Sequence, residues 1–291
     1  MHVFVTGATG WVGSALVEDL LSAGHQVTGL ARTPDKARAL ADKGARIIAG
    51  SIDDHDLLRT AAADADAVAH TAFNHDWAHF AESAGQDERA IMALGAGLGG
   101  TRKPLLVTAG ASGLAKGRPA TEEDLADPAS VRRSEAAAQT LAGRGVNVAT
   151  VRLPPTVHGV GETHGFVPIL IKRARETGVS AYIGDGDNRW SAVHRRDAAR
   201  LFLTVLERGI EAPVYHAIAE DGVAFRRIAE AIGRQLGLPA ESREADHFGW
   251  FARMAGGDAA ASSERTRALT GWNPTGPDLL TDLADRGYYA G

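Results

Sequence analysis

Apolar positions fall into two alternating patterns. His2–Thr6 is a short apolar, β-branched run, Gly-rich sequence follows, and over residues 12–23 apolar side chains recur at helical spacing, which predicts strand, turn and helix. Gln26–Ala31 (QVTGLA), 45–49 (ARIIA), 67–71 (AVAHT), 104–108 (PLLVT) and 146–151 (VNVATV) read as further strands separated by Ala-rich helical stretches. Strands that alternate with helices predict an α/β chain with a Rossmann-type, doubly wound parallel sheet covered on both faces.

The pattern changes after Pro154-Pro155, where Gly159, Gly161 and Gly165 crowd a segment that reads as an irregular, site-lining loop. Beyond it come a strand-like 181–183, a Gly-Asp-Gly turn, and helices near 197–208 and over Phe225–Leu236. The expected organisation is a dinucleotide-binding domain over residues 1–160, with contributions from about 190–215, and a smaller substrate-binding cap over 161–291, interleaved with the first. No repeat or low-complexity linker separates two independent units.

Thr6-Gly7-Ala8-Thr9-Gly10-Trp11-Val12-Gly13 sets glycines at the first, fourth and seventh positions between the first strand and first helix. Gly7 permits a tight turn, Gly10 lets the backbone approach a pyrophosphate, and Gly13 lets helix and strand pack closely. The helix N-terminus then offers unpaired N–H groups to phosphate charge. The second strand ends Leu30-Ala31-Arg32-Thr33, with no carboxylate for a ribose 2′-hydroxyl and with a guanidinium suited to a 2′-phosphate. NADP(H) is therefore expected over NAD(H), and Asp35 is expected to begin the next helix.

Composition narrows the partners. With 291 residues and a net charge of -5 the chain lacks the basic balance of a nucleic-acid binder, so a small molecule is the expected partner. The absence of cysteine removes disulfides and thiolate chemistry, and no basic leader precedes the first strand, so a cytoplasmic protein that neither enters nor crosses a membrane is expected. The 11 histidines include no His-Glu-x-x-His and no zinc-site spacing, so no metal is expected.

TGATGWVG, the LAR strand end, HTAF after the fourth strand and LPPTVHG after the sixth together resemble the extended short-chain dehydrogenase/reductase superfamily, of the epimerase/dehydratase-like kind. Gly184-Asp185-Gly186, the run from Asn188 to His194, Asp197-Ala198 and Gly271-Trp272-Asn273-Pro274 resemble its cap signatures. The resemblance implies that Thr71, Ala72 and Phe73 lie under the reacting carbon. It also sets Pro154, Pro155, Thr156 and Val157 at the nicotinamide carboxamide, Ser51 and Ile52 at the adenine, and Asn74, His75, Arg189 and Trp190 toward substrate. Relatives pair through helices, which leaves a monomer or homodimer.

One family feature is missing. None of the four tyrosines is followed four residues later by lysine, and alignment sets Val131 and Glu135 at the positions of that catalytic pair. The chain is thus similar to the atypical members. Three readings follow: an oxidoreductase for a carbonyl or imine compound with a non-standard proton donor, an NADP(H) sensor without chemistry, and a redox-neutral epimerase or dehydratase. Donor candidates are Ser112, Thr108, His158, His164 and Tyr182, with His75, Asp76 and water beside them. His70 reads as a satisfied core histidine, and Arg132-Arg133 as a solvated helix face. Trp190, Phe248, Trp250 and Phe251 could wall an apolar substrate.

Overall fold

The structure is a computed structural model and describes residues 1–289. In chain order the first half reads β1 (His2–Thr6), α1 (Trp11–Ser22), β2 (Gln26–Ala31), α2 (Pro34–Ala41), β3 (Arg46–Ala49), α3 (His55–Asp64), β4 (Ala67–His70), α4 (Phe80–Leu98), β5 (Leu105–Gly110), α5 (Ser134–Gly143) and β6 (Val148–Leu153). The second half continues with β7 (Thr156–His158), α6 (Phe166–Thr177), β8 (Ser180–Tyr182), β9 (Arg189–His194), α7 (Arg195–Arg208), β10 (Val214–His216), β11 (Glu220–Ala224) and α8 (Phe225–Leu236). It ends with β12 (Ala240–Ser242), α9 (Ala252–Ala255), α10 (Glu264–Thr270) and α11 (Leu279–Ala284).

Seven strands form one parallel sheet in the order β10-β6-β5-β4-β1-β2-β3. Alternation within β1 fixes its two faces: Val3 and Val5 pack under α1 and α7, while Phe4 packs under α3 and α4. Both faces are covered, which is why the inner strands read as nearly continuous apolar runs. Strand order reverses on either side of β1, so a crevice opens at the carboxyl ends of β1 and β4, where ligands of such sheets lie. Asp35 stands in the first turn of α2, as the sequence suggested.

A third apolar core, built on Trp190, Phe225, Phe248 and Phe251, belongs to the C-terminal region, and α7 and β10 return from it to the main sheet. Two expectations need correction. The Gly-rich stretch after Pro155 is not wholly irregular, because β7 pairs in parallel with β9, His158 opposite His194. Arg132-Arg133 is not a helix face, because α5 starts only at Ser134, and Val131 before it lies outside any helix and is 50% exposed.

Candidate cofactor and substrate site

The turn from Thr6 to Gly13 is built so tightly that its glycines are structural requirements. Gly7 takes φ +66°, and a Cβ there would stand 2.6 Å from the backbone nitrogen of Ala72. A Cβ on Gly13 would stand 2.1 Å from the Gly7 carbonyl oxygen. The Gly10 N–H donates to that same carbonyl at 2.8 Å, and the Thr71 hydroxyl donates to the Thr6 carbonyl at 2.8 Å. The turn is therefore pressed onto the segment that leaves β4. Gly10 caps α1 without a side chain, and no acidic residue stands in the first turn, so the N–H groups and the positive end of the helix dipole are left for an anion.

Trp11 ties this turn to the far wall. Its indole N–H donates to the Val157 carbonyl at 2.7 Å, and the Arg195 guanidinium lies 4.0 Å over its ring. Pro154 and Thr156 are buried, and the Thr156 hydroxyl oxygen has no hydrogen-bond partner among the described residues. Arg32, just after β2, is exposed and makes no ion pair or hydrogen bond among the described residues. The Ser51 N–H is held by Asp54 at 2.6 Å, which fixes the turn that buries Ile52. The cradle thus fits a dinucleotide by shape and donor set.

A buried polar chain runs from the Gly-rich turn to the next strand. The Thr6 hydroxyl meets His70 Nδ1 at 2.7 Å, and His70 Nε2 meets Asp87 Oδ1 at 2.9 Å. The Ser134 hydroxyl donates to Asp87 Oδ2 at 2.5 Å, and Arg132 Nε donates to Ser134 Oγ at 3.1 Å. His70 is a satisfied core histidine, with both ring nitrogens engaged. Arg132 corrects the sequence reading, because it is no solvated helix face: its guanidinium lies 4.2 Å over the Phe73 ring, and Nη2 donates to the Thr108 carbonyl at 3.3 Å. Burial lowers its pKa from the usual arginine value. Nothing in the periodicity marks it, because it precedes α5 in irregular chain.

His75 also packs on Phe73, edge to face with ring centroids 5.1 Å apart. Crowding of its ring, and then the Arg132 charge, hold its pKa below the ordinary histidine value. Asp76 is not its partner; it pairs instead with His79, 3.0 Å away. The aromatic strip continues through Trp77 to Phe80 and Trp250, each stacked on Trp77. Asn74 is exposed on the same loop.

Several other sequence candidates are packed or already paired. Trp190 is wholly buried against Phe225, and its indole N–H donates to the Met254 carbonyl at 3.2 Å, so it packs the cap and does not face a substrate. Phe248 and Phe251 are buried with it, which leaves only Trp250, 62% exposed, from the expected wall. Arg189 is neutralised by both oxygens of Asp258, at 3.1 and 2.7 Å, and by neither Asp185 nor Asp187. His158 is fully buried, 2.6 Å from Asp282 Oδ2, and is closed off from the crevice as a proton donor. Tyr182 sits on β8 with Arg226 over its ring. His164 is exposed, bonded to Thr163 and near enough to His75 for its charge to act there, while Ser112 is exposed on the loop after β5. Thr108 donates its hydroxyl to the His70 carbonyl at 2.8 Å, which engages its proton within the sheet.

Glu135 stands where the resemblance expects a lysine, and the structure shows what it does. Both its oxygens grip Arg152, at 2.8 and 2.6 Å, and His216 and the Asp124 carbonyl complete the set around that fully buried guanidinium. Glu135 is an internal counter-ion for β6 and not a free charge beside the crevice.

Comparison with known proteins agrees with this geometry. Residues 7–208 match a family described as NAD(P)H-binding. The chain is 43% identical, over 99% of its length and 100% of the relative's, to an uncharacterized protein of Schizosaccharomyces pombe. It is 31% identical, over 68% of its length and 63% of the relative's, to a 2-alkyl-3-oxoalkanoate reductase of Stenotrophomonas maltophilia. The fold is shared with a dTDP-glucose 4,6-dehydratase of Streptomyces venezuelae, solved with NAD bound, at a TM-score of 0.80 and 20% identity over 99% of this chain and 97% of that one. The glycine cradle, the match over residues 7–208 and the identity to full-length relatives lead to one statement: the chain belongs to the NAD(P)H-binding family, on a Rossmann-type fold.

Proposed function

We propose that the protein is an NADP(H)-dependent oxidoreductase, of the atypical extended short-chain dehydrogenase/reductase kind, acting on a small carbonyl or imine compound. The observation that carries this reading is the junction at the carboxyl ends of β1 and β4, where the glycine cradle presses on residues 71–73 while Arg132 and His75 flank Phe73. The reductase name of one relative supports it.

On this reading the N–H groups at the start of α1 hold the pyrophosphate, Arg32 takes the 2′-phosphate, and the turn at Ser51 and Ile52 borders the adenine. Thr71, Ala72 and Phe73 support the reacting carbon, and Pro154, Pro155, Thr156 and Val157 border the nicotinamide carboxamide. The bound cofactor supplies the hydride. The proton comes from a group other than tyrosine, and His75, the neighbouring His164 and the exposed Ser112 are the candidates left on the crevice side. A cytoplasmic location goes with this reading and with a chain free of cysteine.

Val131, exposed in loop, and Glu135, held by Arg152, favour one second reading, a sensor that binds NADP(H) without turnover. Incubation with NADPH and a panel of aldehydes, ketones and imines, followed by nicotinamide absorbance, separates the two. Turnover of any panel member supports the oxidoreductase, and tight NADPH binding with no turnover across the panel supports the sensor.

A further inference from the structure

Guanidinium groups held by neighbouring protein are met in two ways in this molecule. Arg152 and Arg189 each receive both oxygens of a carboxylate, from Glu135 and Asp258. Arg132 receives none. One face lies on Phe73, Nε is engaged by Ser134 and one Nη2 proton by the Thr108 carbonyl, so both Nη1 protons and the second Nη2 proton have no acceptor among the described residues. Asp87, the carboxylate whose charge reaches it, already accepts from Ser134 and His70. A crowded guanidinium with no carboxylate hydrogen-bonded to it keeps donors for one, and a planar fork matches a carboxylate through two parallel hydrogen bonds.

Its surroundings define the rest of the ligand. Phe73, His75 and Trp77 form a continuous aromatic strip leading away from the guanidinium, and Trp77 is 36% exposed. We infer that the substrate is an oxo acid whose carboxylate docks on the free edge of Arg132 and whose apolar body lies along Phe73, His75 and Trp77. This rests on the oxidoreductase reading for the oxo group, while the carboxylate site stands on the Arg132 geometry alone.

Calorimetry on the full chain loaded with NADP⁺, which permits no reduction, reads the site without turnover. The probes are phenylpyruvate and benzoylacetate, each beside its ethyl ester. The acids should bind about 10- to 100-fold more tightly than the esters, the loss expected for one charge-assisted hydrogen-bonded pair. Arg132→Gln should erase that preference and leave the esters unchanged. Arg132→Lys, which keeps the charge without the fork, should restore part of it, and Arg133→Gln, on an exposed residue paired with Glu88, should change nothing. Equal affinity for acid and ester, no binding of either acid, or an acid preference that survives Arg132→Gln overturns the inference. If the acids bind through Arg132 but NADPH reduces neither, the carboxylate site stands and the oxo-acid substrate is overturned, while the oxidoreductase reading is decided by the panel of aldehydes, ketones and imines.

Discussion

Two clusters of titratable groups sit on opposite sides of the molecule's logic. At the crevice, Arg132 keeps donors and Arg32 a charge that no described residue satisfies, with His75 packed beside them on Phe73. At the base of the cap, His158 is held by Asp282, Glu220 stands 3.8 Å from its other nitrogen, and Tyr288 donates to Glu162. The second cluster is richer in groups that catalyse reactions elsewhere, yet it is largely shut away from solvent and completes the packing of α11 against β7 and β9, with His158 Nε2 left as a buried nitrogen that has no hydrogen-bond partner among the described residues. Unsatisfied polarity at an open edge points to a ligand, while polarity closed on itself points to architecture.

The largest test of that contrast is Asp282→Ala. It leaves His158 buried without its carboxylate and should lower stability by about 3 kcal/mol, as breaking a buried pair does. Urea unfolding measures the loss, and calorimetry should show NADPH affinity unchanged in the folded variant. The reverse pattern, intact stability with lost cofactor binding, would move the cap base into the site. Next comes Arg32→Ala, at an exposed side chain with no hydrogen bond or ion pair among the described residues. NADPH affinity should fall about 10- to 100-fold while NADH affinity moves by less than about threefold, with no change in Tm. Equal losses for both cofactors would remove Arg32 from the 2′-phosphate.

The fold and the cradle were legible in the chain for the same physical reason: both are written in short local patterns. Glycines at 7, 10 and 13 occupy positions where a side chain collides with backbone, and the parallel strands are apolar enough to stand out between helices. The rest depends on contacts between distant segments. His158 carries no sign of Asp282, 124 residues away, and Trp190 no sign that Phe225 and Phe251 will enclose it. Arg132 looked solvated because two adjacent arginines usually are, but the late start of α5 at Ser134 turns one of them onto Phe73 while Arg133 faces Glu88. The three-residue β7 was hidden by the glycines that follow it.

The smallest effect probes the closed cluster through pH. Burial, opposed by the hydrogen bond from Tyr288, pushes the Glu162 carboxyl up from 4.5 to about 8. Below its ordinary value both the folded and the unfolded chain hold this proton, so its contribution to stability is fully present there. As pH rises above that value the unfolded chain releases the proton while the folded chain keeps it, and the contribution drains away until pH passes about 8. Glu162→Gln retains an oxygen for the Tyr288 hydroxyl and removes the titration. Between pH 7 and 8 the parent should therefore lose about 1 kcal/mol more stability than the variant, within the limit of about 1.4 kcal/mol per pH unit for one proton. Thermal unfolding of both proteins across that window measures the difference. Parallel curves would mean that Glu162 is ionised in the folded protein, and that the cap base is open to water in the way the crevice is.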